Sequence, residues 1–232
     1  KGGAGKAFKA PTLAQSSEGF ATTACRGACK VIGNPDLKPE TSVSYELGTA
    51  YNADRFGAGV TGFHNEIEDL IQSDQWGPGY RPTVMTYLNV KEARIKGLEL
   101  TGGFDVLDNV QLTGNLTLLV SEDKSTGDDL AKTPDHTGNL GLDWQASELV
   151  SANLAWQYVG SQVIKVPTRN SQAFTSKHYQ TLDVNTNWTV TPALDFKLGI
   201  TNLTNTQRDE VATDADFILE GRTVYAGVDY KL

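Results

Sequence analysis

The chain has 232 residues, enough for one large domain or two small ones, with 39% apolar residues and 23 glycines. Acidic residues outnumber basic ones 28 to 20, for a formal charge of -8, which argues against a nucleic-acid surface and its basic stripe. No run of about 18 apolar residues exists, which excludes a transmembrane helix; a spanning strand needs only about 9–11 residues, every second one apolar, and is not excluded.

The dominant pattern in chain order is period-two alternation. A short strand-like piece, Lys6 to Ala10, opens the chain without an initiator Met, and the start is read as a truncation. Val43, Tyr45, Leu47, Thr49 and Tyr51 then oppose Ser42, Ser44, Glu46, Gly48 and Ala50. Residues 57–71 mix their faces, since Phe63, Ile67 and Ile71 share one with Asn65 and Asp69. Residues 84–104 alternate cleanly only near Leu98, Leu100 and Phe104. Both segments sit between turn signals and are read as strands. Clean alternation returns over 110–120, 139–144, 150–158, 181–190, 194–201 and 223–232, giving about nine or ten strands.

Short turns at 52–55, 107–109, 146–148 and 191–193 alternate with long connections near 12–40, 72–83, 121–136, 160–177 and 204–220. Loops this long are uncommon in compact soluble domains. An up-and-down barrel crossing a membrane produces such an alternation, with short turns on one side and long loops on the other. Tyr51, Phe56, Phe104, Trp144 and Trp188 flank the short turns, as an aromatic girdle would. Asp143, Asp183, Asp195, Lys197, Asp229 and Lys231 interrupt the opposite face. A basic residue in mid-membrane costs about 2–4 kcal/mol, so the apolar face is assigned to lipid and the charged face to a watery lumen. The fold class expected is all-β, an antiparallel transmembrane barrel segment over residues 1–232.

Five segments carry a family resemblance. Gly33 to Gly48, with Asn34, Pro35, Leu37, Lys38, Pro39, Glu40, Glu46 and Gly48, closely resembles the N-P-x-L-K-P-E-x-S-x-x-x-E-x-G segment of TonB-dependent outer-membrane receptors. Phe8 to Leu13 looks like that family's F-K-A-P-S-L piece. Asn89 to Glu99 resembles its N-V-x-K-A-x-I-x-G-x-E strand, and Gly199 to Asn205 its G-V-x-N-L box. Gly221-Arg222-Thr223-Val224-Tyr225 resembles the opening of the final strand, which runs through Tyr230 to Leu232 where the family ends in an aromatic residue. Cys25 to Lys30, just before Gly33, is similar to the colicin I receptor branch.

The resemblance implies TonB-dependent uptake of ferric siderophores of the catecholate kind across the bacterial outer membrane. It implies partners in outer-membrane lipid and lipopolysaccharide, in the TonB complex through a plug domain, in the ferric siderophore, and in colicin. It also implies a larger barrel of 22 strands, so plug and N-terminal strands are expected to be absent from this chain, leaving two open edges that invite association or closure. No cofactor, enzymatic step or resident metal is expected.

Cys25 and Cys29 would close a small disulfide ring in an oxidising compartment; two free thiols are the bland alternative. A staple on an extracellular loop would place Arg26 near Lys30, cations suited to an anionic ferric catecholate. Trp76, Tyr80 and Arg81 share the next long loop and could stack on catechol rings, against the plainer reading of a packed loop tip. Asn34 to Glu40 reads chiefly as a rigid strand entry, because Pro35 and Pro39 keep their neighbours extended. Asp209, Glu210, Asp214, Asp216 and Glu220 lack a calcium-loop spacing and read as solvated surface or cation bridges to lipopolysaccharide. The rivals are a soluble all-β binding module, with its apolar face in a dry core, and a passive porin.

Overall fold

The computed structural model describes residues 1–24, 29–75, 84–165, 173–208 and 218–231. Its strands are β1 (Gly2–Lys9), β2 (Ala21–Ala24), β3 (Cys29–Ile32), β4 (Glu40–Asn52), β5 (Phe56–Gln75), β6 (Val84–Leu107) and β7 (Val110–Asp123). They continue as β8 (His136–Gln145), β9 (Val150–Val159), β10 (Gln162–Lys165), β11 (Ala173–Ser176), β12 (Tyr179–Thr191), β13 (Leu194–Thr201) and β14 (Thr223–Tyr230). One four-residue helix, α1 (Leu13–Ser16), starts at a capping box made by Thr12 and Gln15.

Ten strands form a single antiparallel path, β1-β4-β5-β6-β7-β8-β9-β12-β13-β14, which is the up-and-down order expected. The four short turns stand where the sequence placed them. The long connections hold more structure than the sequence revealed. Between β1 and β4 lie α1 and the β2–β3 hairpin, with β3 parallel to the start of β6. Between β9 and β12 lies the β10–β11 hairpin. Four-residue strands are too short to show a period, and so these were legible only as loops. The edges β1 and β14 are the two ends of the path and are not paired with each other among the described residues.

The apolar face is not sealed in a core. Leu154, Leu198 and Val228 are exposed, and Leu116 and Leu142 half-exposed. The buried apolar residues among those described are Val31, Ile71, Met85, Ala93, Leu130 and Ile164, all at the long-loop end. A soluble sheet of this size would bury one face completely.

Directly opposed residues share a face, so the register assigns every side chain. One outward row runs Phe56, Phe104, Leu112, Leu142, Leu154, Val184, Ile200 and Val224. The aromatic residues near the short turns lie on this face: Tyr51, Phe56, Phe104, Trp144, Trp188 and Tyr230 are all exposed. Trp188 and Phe196 meet with ring centroids 6.4 Å apart. On four strands the first strongly polar residue of the same face comes eight positions away: Phe56 to His64, Phe104 to Lys96, Trp144 to His136, Trp188 to Gln180. Eight strand residues span about 27 Å, and the usual barrel tilt of about 35–45° turns that into about 20 Å of depth. The constant spacing marks a slab of uniform thickness.

The mixed faces of residues 57–71 also resolve. Phe63, Asn65 and Ile67 point to the polar face, and Asp69 takes a left-handed φ of 56° before the buried Ile71. The assignment of one face to lipid and the other to water needs one correction. Beyond Gly62, Leu98 and Val120 the outward face of β5, β6 and β7 turns charged, because these strands continue past the slab.

Leu154→Arg, at mid-depth between Leu142 and Val184, should destabilise the intact protein in lipid bilayers by about 2–4 kcal/mol. Gln157→Arg, on the opposite face of the same strand, should cost far less. Denaturant titration in phospholipid vesicles checks both.

Candidate functional site

Two regions can do chemistry here: the polar face and the rim that carries the long connections. The polar face is a ladder of cross-strand hydrogen bonds. Gln111 donates to Asp105 at 2.8 Å, Asn139 to Asn115 at 3.0 Å, and Asn153 to Asp143 at 2.8 Å. Asn185 donates to Asn153 at 3.5 Å and accepts from the Tyr225 hydroxyl. Thr189 donates to Asp195 at 2.6 Å, Lys197 pairs with Asp229, and Lys231 lies 3.8 Å from Asp195. Two hollows open on this face. One, of about 610 Å³, lies among Asp105, Gln111, Asp143, Asn153, Asn187 and Lys197. The other, of about 500 Å³, holds Glu46, Phe63, Asn65 and Glu99. The face offers acceptors and hydroxyls to a polar body; among the described residues no group of three metal-binding side chains forms.

The rim is built by the motif around Asn34. Asn34 donates its side-chain amide to the Tyr87 carbonyl at 2.9 Å and accepts from the Asp36 N–H at 3.0 Å, which closes an Asx turn over Pro35. Leu37 is half-buried and Pro39 exposed. Asn89 clamps Lys38 from both sides, accepting its N–H at 2.9 Å and donating to its carbonyl at 3.0 Å. The same amide reaches the Asp69 carbonyl at 2.6 Å. Glu40 is buried, accepts the Ile71 N–H at 3.0 Å and pairs with Lys9 at 3.4 Å. The segment therefore ties β1, β4, β5 and β6 together, with the Asn34 and Glu40 side chains bonded to backbone groups. Gly48 permits a close strand approach, since a Cβ there would meet Thr61 Oγ1 at 2.6 Å. Glu46 faces the second hollow.

A second latch closes the last connection. Asn202, buried and at φ 49°, donates to the carbonyls of Thr206 at 2.9 Å and Glu220 at 2.8 Å. Its oxygen accepts the Thr206 N–H at 2.8 Å, and its own N–H goes to Asp183 at 2.7 Å. Arg222 donates its N–H to Asn205 at 2.9 Å, and Thr223 Oγ1 donates to the Gly221 carbonyl. Tyr230 ends β14 on the outward face, 66% exposed.

Lys30 is exposed on β3, opposite Val84, the residue that follows segment 76–83. The parallel pairing thus sets the roots of the first two long loops side by side. Cys25, Arg26, Trp76, Tyr80, Arg81 and Leu232 lie outside the described residues, as does the side chain of Cys29, so the disulfide pairing falls there too. Sequence reasoning missed Asn89 as the clamp of Lys38, because its partners are 20 and 51 positions away. It also missed an outward charged collar. There His64 Nε2 meets Glu66 at 2.9 Å, Arg94 pairs with Glu122, and Lys124 reaches Glu92 at 2.8 Å and Glu66 at 3.1 Å. The carboxylates of Glu92 and then Glu66 hold the Lys124 ammonium above the usual lysine pKa.

Residues 1–203 match the family described as TonB dependent receptor-like, beta-barrel. The chain belongs to this family. It is 32% identical over 220 residues to the Ferrienterobactin receptor of Escherichia coli (strain K12), covering 88% of this chain and 30% of that protein. The Ferric enterobactin receptor PirA of Pseudomonas aeruginosa is 33% identical over 223 residues, again 88% of this chain and 30% of the relative. The solved structure of the siderophore receptor PirA from Acinetobacter baumannii matches with a TM-score of 0.75 at 27% identity, over 99% of this chain and 38% of that one. The chain thus spans 30% to 38% of the length of these relatives. The sheet is part of a TonB-dependent receptor barrel in the outer membrane. Walls of such barrels set an apolar face to lipid, a polar face to the lumen and their long connections to one side.

Asn89→Ala removes three hydrogen bonds to backbone groups of Lys38 and Asp69. In the intact receptor it should speed amide hydrogen exchange over residues 34–40 by about tenfold, while β5–β6 amides stay protected. Unchanged exchange would mean that Pro35 and Pro39 hold the segment alone.

Proposed function

We propose that the receptor containing this chain takes up ferric siderophores of the catecholate class. The chain supplies part of the barrel wall and several of the capturing loops. The reading rests on one observation: a two-faced up-and-down sheet with every long connection on one rim, in a chain whose relatives include ferric enterobactin receptors. In the proposal Arg26, Lys30 and Arg81 attract the anionic complex, and Trp76 and Tyr80 stack on its rings. A Cys25–Cys29 disulfide holds the first loop. No bond is made or broken in the cargo.

The luminal ladder suits a plug domain supplied by the rest of the protein. A plug would seat its polar surface against Asp105, Asp143, Asn153 and Lys197. Energy would arrive from the TonB complex through that plug. Outer-membrane lipid and lipopolysaccharide would surround the wall, and a colicin could use the same outer rim.

The test uses the intact receptor in cells that lack other catecholate receptors. Radioactive iron presented as a tris-catecholate complex should enter only when the receptor is present, and a protonophore should abolish entry. Entry that survives the protonophore would identify a passive pore and overturn the reading. Trp76→Ala combined with Arg81→Ala should weaken binding of the complex about tenfold, the ratio that 1.4 kcal/mol sets. Equilibrium binding to whole cells measures it.

A further inference from the structure

The last strand of the wall is the one whose register the connections leave open. β4–β5, β6–β7, β8–β9 and β12–β13 are each joined by a short turn, and a tight turn fixes how two strands align. β13 ends at Thr201 and β14 starts at Thr223, and β14 pairs only with β13 among the described residues. The period of two does not decide the alignment either. A slip of one residue would turn every side chain over, but a slip of two keeps Val224, Ala226 and Val228 on the apolar face. The Asn202 latch holds the connection only at the rim end of the pair.

On the polar face the two strands are complementary in size. Tyr225 of β14 stands directly opposite Gly199 of β13. Its ring lies across that glycine, and its hydroxyl donates to Asn185 Oδ1 on β12, one strand farther on. Gly199 is buried, in a wall one sheet thick. A Cβ there would run into the Tyr225 ring and would lie 2.6 Å from Asn185 Oδ1. Two residues along, the sizes are reversed: Lys197 of β13 faces Gly227 of β14 and pairs with Asp229. The direction of the hydroxyl bond is set from the far side. An ionised Asp143 carboxylate can only accept, so Asn153 gives it an amide N–H at 2.8 Å and turns its oxygen to the Asn185 amide, 3.5 Å away. That leaves the Asn185 oxygen facing β13, where the donor has to reach it across a residue without a side chain.

We propose that Tyr225, seated over Gly199 and bonded to Asn185, fixes the register of the final strand when the wall is assembled. The role needs the barrel fold and no particular cargo. A slip of two residues one way sets Tyr225 opposite Thr201 and Gly199 opposite Gly227, which leaves a gap in the row and parts Tyr225 from Asn185. A slip the other way sets Tyr225 against Lys197 and draws Asp229 away to Ala193. Both slips keep the two faces; neither keeps the row.

The test is made on the intact receptor in cells, with cysteine pairs on the apolar face reading the register. Leu198→Cys is combined with Ala226→Cys, its partner in the native register, or with Val224→Cys or Val228→Cys, its partners after a slip of two. Newly made receptor is pulse-labelled and oxidised in a strain lacking periplasmic proteases, and the cross-links are mapped by mass spectrometry. The native pair should dominate in the unaltered background. Tyr225→Ala should raise the ratio of slipped to native cross-links about tenfold, through one lost hydrogen bond and one lost cross-strand contact. Gly199→Val, which fills the seat and leaves Tyr225 in place, should raise it comparably, and Tyr225→Phe should fall between. An unchanged ratio in Tyr225→Ala and Gly199→Val would overturn the proposal even where less receptor accumulates, because Tyr225 would then stabilise the wall without setting its alignment. So would a ratio that rises only with Asn202→Ala, since the rim latch would then set the register. If Tyr225→Ala yields no receptor at all, Tyr225→Phe decides by the same ratio.

Discussion

A backbone that crosses hydrocarbon finds no water to hydrogen-bond, so each N–H and carbonyl must be satisfied by a neighbouring strand. The unbroken antiparallel ladder meets that demand for the eight strands between β1 and β14, and the rest of the structure follows from it. Once an inner strand is fixed between two others, its side chains can point only to one face of the wall or the other. A one-residue slip would send every leucine of a strand into water. Stability in such a wall comes from pairing and from lipid contact; the few buried apolar residues among those described, Met85 and Ile164 included, lie at the long-loop end.

Depth is written into the wall as distance along the strand. The eight-position interval from Phe56 to His64 recurs from Phe104 to Lys96, Trp144 to His136 and Trp188 to Gln180. The girdle steps down by one row between successive strand pairs because the strands are tilted against the slab. At the upper level the wall is polar in two ways. Charges form the collar on β5 to β7, while His136, Tyr158 and His178 stack farther on, with centroids 5.1 and 5.6 Å apart.

The outer rim is held differently. Long connections cannot rely on a core, so asparagine side chains take up their backbone groups. Asn34, Asn89 and Asn202 each join segments distant in sequence, at distances of 2.6–3.0 Å. Such latches give the long connections fixed roots.

The sequence by itself determined the strands of the wall, the four short turns, the identity of the two faces and the family, because a period of two and a turn residue are local signals. It did not determine where the outward face turns from oil to charge, since Glu66, Arg94, Glu122 and Lys124 are neighbours only through the register of β5, β6 and β7. Nor did it reveal what the Asn34–Glu40 motif does: Tyr87, Asn89 and Ile71 reach it from 31 to 53 positions away. Only the tertiary structure decided these, because hydrogen bonds and ion pairs between strands depend on which residues the ladder sets side by side.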